Sequence, residues 1–181
     1  MKETITNPLI KNQVTFIRTA RETAGAFTEI EIVLSPGAST LFYYPKFFTE
    51  TFTILGGELH IEMAGKQPII LYSGTNFKIP PQQLHRFYNP ASVAVTFRIT
   101  VAPGAPGLEN ALRIICGLVG ERLDRGIDAK AGIIPIAIVS QMSGLYFPGT
   151  LRLLPSILQL LAKIGKHRGI DKELRTRYCA N

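Results

Sequence analysis

A long series of short stretches that alternate apolar and polar residues is the feature that most constrains the fold of this chain. The stretches run from Pro8 to about Ala102, and turn residues such as Ala-Gly-Lys, Ser-Gly and Asn-Pro separate them. Alternation with a period of two is typical of half-buried β-strands, and no helical pattern interrupts the series. Many short strands at this spacing predict a β-sandwich or a β-barrel.

The pattern changes after the stretch VAPGAPG, which is rich in proline and glycine. Three apolar stretches follow, and they predict helices over Leu108 to about Asp124, Ile133 to Leu145, and Thr150 to Ile164. We therefore expect two parts, a barrel domain at residues 8–103 and a helical extension at residues 104–181.

The third predicted helix is amphipathic and ends in a basic segment. Its apolar residues recur at spacings of three and four, which places Leu154, Ile157, Leu158, Leu161 and Ile164 on one face. Such a stripe is typical of core or interface packing and is occasionally a membrane-surface anchor. The last thirty residues hold seven basic and two acidic residues, which accounts for most of the net charge of +7. A basic end of this kind is usually solvated, although it can meet anionic lipid, nucleic acid or an acidic partner.

Composition excludes several classes of protein. With 181 residues, 46% hydrophobic and 18% charged, the chain can bury a core and is not of the disordered type. No stretch reaches the roughly 18 uninterrupted apolar residues that a membrane-spanning helix needs. The two cysteines, Cys116 and Cys179, do not form a disulfide framework, and the first residues lack an apolar targeting segment. We expect a cytoplasmic protein.

Two glycine-bounded motifs lie within the strand region. The first has Gly37, five residues, Tyr43, one residue, Pro45, four residues, Glu50, six residues and Gly57. The second has Gly74, five residues, Pro80, one residue, Gln82, two residues, His85, three residues and Asn89. Sixteen residues, 58–73, separate the two motifs.

Both motifs resemble those of the cupin superfamily. The first cupin motif carries two histidines where this chain has Tyr43 and Pro45, and the second carries glycine where this chain has Gln82. The order of the motifs and their short separation resemble compact microbial members of the family. The resemblance implies an antiparallel double-stranded β-helix, or cupin barrel, over roughly residues 7–102, followed here by the helical extension. It also implies a homodimer, because cupins commonly pair.

The resemblance implies that Tyr43, Pro45, Glu50 and His85 occupy the metal-ligand positions of the family. Residues two apart in a strand share a face, so Tyr43 and Pro45 are expected to point inward together. Only Glu50 and His85 are ordinary ligands, because proline has no side-chain donor and a phenol has a pKa of about 10. We expect no tightly bound cofactor and at most a weakly bound divalent metal at Glu50 and His85.

A small-ligand pocket is the alternative use of these positions. We predict that Tyr43, Glu50, Phe52, His85 and Phe87 line it, since an acid and an imidazole that converge among aromatic residues shift each other's pKa. Tyr44 and Tyr88 lie near them in the sequence and are further candidates. The simpler interpretation is that Glu50 and His85 only form an internal hydrogen bond.

Three hypotheses for function follow. The first is a metal-poor or metal-free cupin that binds a small organic ligand in the barrel. The second is a metal-dependent oxygenase or isomerase that uses Glu50 and His85 with Tyr43 or water. The third is a scaffold whose basic amphipathic tail contacts a membrane surface or a protein partner. Whether the chain is an enzyme is open at this point.

The remaining candidates are expected to lie outside the site. His60 alternates with acidic residues opposite an apolar strand face, His167 lies in a basic cluster, and Arg98 lies on the polar side of its strand. The chain has no phosphate-binding glycine loop, no nucleophile elbow and no paired-cysteine zinc pattern. The stretch HRGIDKELRTRY lacks the helix pair of a DNA-binding motif, so we expect no nucleic-acid partner.

Overall fold

The computed structural model describes residues 2–124, 133–147 and 154–179. Eleven strands and four helices lie in these ranges. The strands are β1 (Thr4–Asn7), β2 (Asn12–Arg18), β3 (Thr28–Leu34), β4 (Tyr44–Pro45), β5 (Thr49–Gly56), β6 (Glu58–Met63), β7 (Ile69–Tyr72), β8 (Asn76–Ile79), β9 (His85–Tyr88), β10 (Val95–Ala102) and β11 (Leu145–Tyr146). The helices are α1 (Pro106–Asp124), α2 (Ile133–Ser143), α3 (Leu154–His167) and α4 (Ile170–Tyr178).

Two antiparallel sheets enclose the barrel core. The larger has the order β1-β2-β3-β10-β5-β8, and the smaller has the order β7-β6-β9. Alternate residues of each strand point inward, as the period of two in the sequence predicts. The inward residues of both sheets form one hydrophobic cluster, in which Phe52, Ile61 and Phe97 are fully buried.

The motif glycines lie where the backbone needs them. Gly37, Gly57 and Gly74 all have positive φ, at 71°, 84° and 86°. Gly57 has a second constraint, because a Cβ there would lie 3.1 Å from the carbonyl oxygen of Ala94 and 3.1 Å from the Cα of Val95. A side chain at Gly57 would therefore strain the β5–β6 turn and push it against the start of β10.

The sheet and the helices differ in their bounds from the sequence prediction. The first strand lies before residue 8, because Thr4–Asn7 pairs with Asn12 to Thr15. Helix α1 begins two residues earlier than predicted and α2 ends two residues earlier. Residues 150–153 of the third predicted helix lie outside the described residues. Helix α4 had only a faint sequence signal because Gly169 interrupts the basic stretch.

The helices form a second, smaller hydrophobic cluster. Ile114 of α1, Ile138 of α2, Ala162 of α3 and Leu174 of α4 are its buried members, so all four helices contribute to it. None of the helices within the described ranges is long and apolar enough to cross a membrane.

A buried glutamate ties the helices to the barrel. Glu109 near the start of α1 is buried, and its Oε1 accepts hydrogen bonds from the Ala20 backbone N–H and the Thr28 hydroxyl, both at 2.6 Å. The Thr28 hydroxyl oxygen in turn accepts a hydrogen bond from the Ala105 N–H at 3.0 Å. The start of the helical extension is thus held against the sheet, and the extension can reach the mouth of the barrel.

Candidate functional site

Three side chains from separate parts of the barrel meet in its interior. Tyr43 precedes β4, Glu50 lies in β5 and His85 begins β9. Tyr43 and His85 form an antiparallel bridge, in which each backbone N–H donates to the other's carbonyl oxygen at 2.8 and 2.9 Å. Glu50 comes from the opposite sheet, where it pairs with Ile79 and Val101. The sequence prediction that Tyr43, Glu50 and His85 converge agrees with this arrangement.

The three side chains form a linear polar chain, which we call the Tyr-Glu-His chain. The Tyr43 hydroxyl donates to Glu50 Oε1 at 3.2 Å, and Glu50 Oε2 lies 3.2 Å from His85 Nε2. The Nδ1 atom of His85 lies 2.9 Å from the backbone carbonyl oxygen of Gln83. All three side chains are buried, and only 3% of Glu50 is exposed.

The hydrogen-bond partners determine where protons can lie. The Gln83 carbonyl oxygen can only accept, so Nδ1 of His85 carries a proton and donates it. Nε2 then faces Glu50 Oε2, and two lone pairs at 3.2 Å would repel each other in a buried site unless a proton lies between them. One proton between Glu50 and His85, held by either group, therefore fits this geometry.

The pair is close but not well aligned. Glu50 Oε2 and His85 Nε2 are both fully buried, and neither makes a hydrogen bond of acceptable geometry within the described residues. The 3.2 Å separation is that of an ion pair, whereas the angles are not those of a hydrogen bond. Glu50 and His85 are therefore a close pair whose hydrogen-bonding capacity is not fully used.

Tyr43 is held in its neutral form. Burial raises the pKa of the Tyr43 phenol well above 10, and the negative charge of Glu50 and the hydrogen bond to it raise that pKa further. The phenol therefore acts as a hydrogen-bond donor to Glu50. A phenolate ligand for a metal is disfavoured at this position.

Aromatic side chains surround the Tyr-Glu-His chain. The ring of Phe52 lies edge-on to His85 at 6.2 Å between centroids, and the ring of Phe87 lies edge-on to Tyr43 at 6.4 Å. Both phenylalanines are buried beside the Tyr-Glu-His chain, and their role in lining a pocket stays a prediction. Tyr44 and Tyr88 are on the other side of their strands, where Tyr44 stacks on Tyr146 and Tyr88 packs against His60. The prediction that these two tyrosines contribute to the pocket was therefore wrong.

A short segment of the helical extension, residues 144–147, packs against the barrel beside Tyr43, and we call it the strap. Within it β11 pairs with β4, with Leu145 opposite Pro45 and Tyr146 opposite Tyr44. The Gly144 carbonyl oxygen accepts a hydrogen bond from the Lys46 N–H at 3.0 Å. Phe147 is 50% exposed, and its ring lies 6.1 Å from that of Tyr43.

Sequence reasoning missed the strap. The second predicted helix included its first two residues, Gly144 and Leu145, and two residues of extended chain give no periodic signal. The only local sign was Gly144, which has a φ of 69° and ends α2. Pro45 stands at a family ligand position, and here it serves as the strand partner of the strap.

One departure from the cupin motif is at Gln82. It stands where the family has glycine, and its φ is 65°, in the left-handed region that glycine adopts at little cost. Its N–H donates to the Pro45 carbonyl oxygen at 2.7 Å. The loop before β9 is thus bound to β4, with Gln82 in a backbone conformation that glycine usually adopts.

The donor set does not fit a resident metal. Within the described residues there is no group of three or more His, Cys, Asp and Glu side chains that could hold an ion. Glu50 and His85 supply two donors, Pro45 supplies none, and the neutral phenol of Tyr43 already donates to Glu50. Catalytic metal sites generally use three protein ligands. We therefore derive no chemical step through a metal.

The three residues that were expected outside the site lie away from the Tyr-Glu-His chain. His60 is on the outer face of β6, with Nε2 2.6 Å from Glu58 Oε1. Arg98 is on the outer face of β10 and pairs with Glu31 at 3.0 Å. His167 is exposed at the end of α3. None of the three can reach the barrel interior, as the strand and helix patterns predict.

Two cavities that are lined by described residues lie outside the barrel. One, of about 350 Å³, is between β1, α1 and α4 and includes Arg113 and Arg177. The other, of about 230 Å³, adjoins the strap and includes Phe48, Met142 and Gly144. Neither is lined by the Tyr-Glu-His chain, so a molecule that reaches this chain must displace part of its cover.

Comparison with known proteins concerns the barrel. No protein-family model matches the chain, and no curated protein matches it. A predicted oxalate decarboxylase from Thermotoga maritima matches with a TM-score of 0.51 at 17% identity, over 57% of this chain and 92% of that one. A cupin-like protein from Thermotoga maritima matches with a TM-score of 0.45 at 21% identity, over 55% of this chain and 71% of that one.

An uncharacterized conserved protein with a double-stranded β-helix domain from Klebsiella pneumoniae is similar too. It has a TM-score of 0.45 at 19% identity, over 50% of this chain and 75% of that one. At these identities the likeness concerns the fold alone. The Thermotoga match at 0.51 and the antiparallel sheets confirm the predicted fold class, a double-stranded β-helix with C-terminal helices.

Proposed function

We propose that this chain, which has the cupin fold, binds a small hydroxyl-bearing organic molecule in its barrel, at Tyr43, Glu50 and His85. One observation carries the proposal: Glu50 Oε2 and His85 Nε2 are buried side by side without an aligned hydrogen bond in the described residues. Buried polar atoms nearly always have a partner, and exceptions concentrate where a ligand, an ion or catalysis uses them.

The chemistry of the pair indicates the ligand class. A hydroxyl group can donate to Glu50 and accept from His85 at the same time, which a purely apolar ligand cannot do. The rings of Phe52 and Phe87 would cover the carbon skeleton of such a molecule. A hydroxyl compound with one short apolar face therefore complements the site best.

The same residues would support proton transfer to a bound molecule. A carboxylate, an imidazole and a phenol within hydrogen-bond reach of one ligand are the donor set of general acid–base catalysis. Acid–base chemistry on a hydroxyl or carbonyl compound is the reaction class that this set supports. Binding is the property that we propose first, because it depends only on the unused hydrogen-bonding capacity.

Entry of the ligand requires the strap to move. Phe147 and β11 cover the side of the barrel at Tyr43 and Pro45. Within the described residues the strap is held by its two-residue pairing to β4, by the hydrogen bond from the Lys46 N–H to the Gly144 carbonyl oxygen and by the stacking of Tyr146 on Tyr44, so few backbone hydrogen bonds need to break. Segments with few such bonds open at low free-energy cost.

A weak divalent metal site is the second candidate. The 3.2 Å between Glu50 Oε2 and His85 Nε2 suits two ligands of one cation. A metal-dependent oxygenase or isomerase would need this ion to stay bound during turnover, with Tyr43 or water completing the site. Elemental analysis after incubation with iron, manganese, nickel or zinc and desalting separates the candidates. One equivalent of retained metal would favour the enzyme, and none would favour the metal-free ligand site.

Binding is tested by nuclear magnetic resonance with a fixed set of probes: glycerol, glycolate, lactate and common monosaccharides. At least one probe is expected to shift the signals of His85 and its neighbours in the wild type. His85→Phe should weaken that binding about fivefold or more, since phenylalanine cannot make the hydrogen bond from His85 to the ligand hydroxyl. Glu31→Gln, on the outer face of β3, is the matched control and should bind like the wild type. Failure of every probe to shift His85 would overturn the proposal.

We also propose a reducing, cytoplasmic setting and a homodimer formed through the barrel. Cys116 and Cys179 are free thiols, which supports the first part. Strand β7 is an edge strand that exposes Ile70 and Tyr72, which supports pairing with a second copy. Analytical ultracentrifugation of the wild type and Ile70→Lys tests the dimer. A wild type that remains monomeric at high concentration would contradict it.

A further inference from the structure

Helices α2 and α3 leave apolar side chains in solvent. Ile157 and Leu160 of α3 are 48% and 57% exposed, and Ile133 and Ile136 of α2 are 57% and 42% exposed. We call these four residues the apolar helix face. Single exposed apolar residues are common, but Ile157 and Leu160 lie one turn apart on the same side of α3, and α2, which carries the other two, packs against this helix.

The exposed residues are the outer side of a helix pair whose inner side is already packed. Leu158, Leu161 and Ala162 of α3 belong to the helical cluster. The two helices touch at Gly165, where a Cβ would lie 2.8 Å from Ile134 and 2.8 Å from Ile138. The stripe predicted from the sequence is therefore divided, because Ile157 points outward while Leu158 and Leu161 point inward.

Cations continue the outer side of α3. Ile157, Leu160 and Lys163 follow one another at three-residue spacing, which places them along one side of the helix. Exposed basic residues follow in the last turn of α3, in the turn after it and in α4: Lys166, Arg168, Lys172 and Arg175. Within the described residues none of these five cations forms an ion pair.

Charge decides which partner fits this surface. A second copy placed on the apolar helix face by a two-fold axis would bring Lys163 and its neighbours towards the same cations of the other copy. An apolar protein groove would leave these cations without counter-charges. An anionic lipid surface supplies both an apolar boundary and negative head groups, and amphipathic helices with this combination lie in that boundary.

We propose that the apolar helix face, with Lys163 and Lys166 beside it, docks the protein on an anionic membrane surface. Ile157 and Leu160 would enter the boundary between head groups and acyl chains, and the two lysines would contact the head groups. At 14 residues α3 lies on the membrane and does not span it. The proposal concerns a surface remote from the Tyr-Glu-His chain and does not depend on ligand binding there.

Vesicle flotation of the full chain tests the proposal. The chain should float with equimolar phosphatidylcholine–phosphatidylglycerol vesicles and not with phosphatidylcholine alone. Raising the salt from low to molar concentration should reduce the floated fraction severalfold, because salt screens the contribution of the lysines. Equal recovery with both lipids, or no recovery with either, would overturn the proposal.

Paired variants separate the two contributions. Ile157→Ser with Leu160→Ser should lower the partition coefficient at least about tenfold, since each residue loses apolar burial. Lys163→Gln with Lys166→Gln should lower it about fivefold per lysine. The matched controls are Leu41→Ser and Lys78→Gln, exposed residues of the barrel, which should bind like the wild type.

The same variants test whether a second copy of the chain, and not a membrane, covers the apolar helix face. All substitutions are at exposed positions, and an unchanged urea-unfolding midpoint would confirm that each variant is folded. If the wild type is a dimer in solution that Ile157→Ser with Leu160→Ser converts to a monomer, and vesicles bind neither, the apolar helix face is a subunit interface and the membrane proposal is wrong. Helix variants that float like the wild type would contradict it as well.

Discussion

His85 Nε2 and Glu50 Oε2 face each other across 3.2 Å in the barrel interior, with both side chains almost fully removed from solvent. The Tyr43 hydroxyl bonds the other oxygen of Glu50, and the Gln83 carbonyl oxygen bonds the other nitrogen of His85. Glu50 Oε1 and His85 Nδ1 are thus already hydrogen-bonded. The unused hydrogen-bonding capacity of the pair lies at Glu50 Oε2 and His85 Nε2, which face each other.

Removal of both partners of the pair should cost less than the sum of the two single removals. Glu50→Met or His85→Met alone leaves the other polar group buried without its partner, and we expect each to lower the free energy of unfolding by about 3 kcal/mol or more. The double variant should cost clearly less than the sum of the two, since no polar group of the pair is then left unpaired.

A double-mutant cycle by urea denaturation measures this coupling. The surface pair of Glu31 and Arg98 is the matched control, because its side chains are partly exposed and should couple by less than about 1 kcal/mol. Additive costs at Glu50 and His85 would show that the two groups act independently.

Tyr43 should make stability fall at high pH. Burial and the charge of Glu50 raise the pKa of Tyr43 well above 10 in the folded chain. The unfolded chain loses this proton near pH 10 while the folded chain keeps it, so the contribution is complete below that pH and is lost as pH rises towards the folded pKa. The slope should reach about 1.4 kcal/mol per pH unit.

Urea denaturation between pH 9 and about pH 11 checks this slope. Tyr43→Phe should cost about 1 kcal/mol at neutral pH and should flatten the decline above pH 10. Burial raises the pKa of Cys116 to about 12, which adds a decline common to all variants. Tyr72→Phe, at an exposed position, should keep the wild-type slope, and a Tyr43→Phe slope equal to it would contradict the assignment.

Gln82→Gly should stabilise the chain. Gln82 has a φ of 65°, and a left-handed conformation costs a residue with a side chain roughly 1–2 kcal/mol. Glycine relieves that strain but adds disorder to the unfolded chain, so we expect a net gain of about 0.5 kcal/mol or more. Gln83→Gly, at the neighbouring position without positive φ, should destabilise. The urea-denaturation midpoints of the two variants, compared with that of the wild type, test this prediction.

Tyr146→Ala should loosen the strap. The Tyr146 ring stacks on Tyr44 at 5.5 Å, and the Lys46 ammonium group lies 5.4 Å from its centroid. Loss of about 1 kcal/mol of aromatic contact should speed hydrogen exchange of the Lys46 amide about fivefold, since this amide donates to Gly144. Tyr72→Ala serves as the control and should leave that exchange rate unchanged. Equal rates in the two variants would mean that the strap is held by other contacts.

The barrel could be predicted from the sequence because its strands and turns leave signals in short stretches of the chain. Alternation specifies which residues of a strand point inward, and the glycines at 37, 57 and 74 mark turns that need positive φ. The convergence of Tyr43, Glu50 and His85 follows from the motif spacing once the barrel is assumed.

Other features depend on contacts between distant residues. Strap pairing at Pro45 joins residues about one hundred positions apart, and two extended residues carry no periodic signal. The division of the α3 stripe depends on where α2 packs, since Ile157 and Leu158 have similar apolar character in the sequence. Tyr44 and Tyr88 were assigned to the pocket by proximity along the chain, whereas the alternation of each strand places them outside.

The most direct test of the central claim is the nitrogen nuclear magnetic resonance spectrum of the His85 imidazole in the purified full chain. We predict a proton on Nδ1 bonded to Gln83, an imidazole spectrum that is unaffected by a metal chelator, and an Nε2 resonance that shifts when a hydroxyl-bearing probe binds. An Nε2 without a proton, whose resonance moves when the chelator is added, would show a metal-bound histidine and contradict the account.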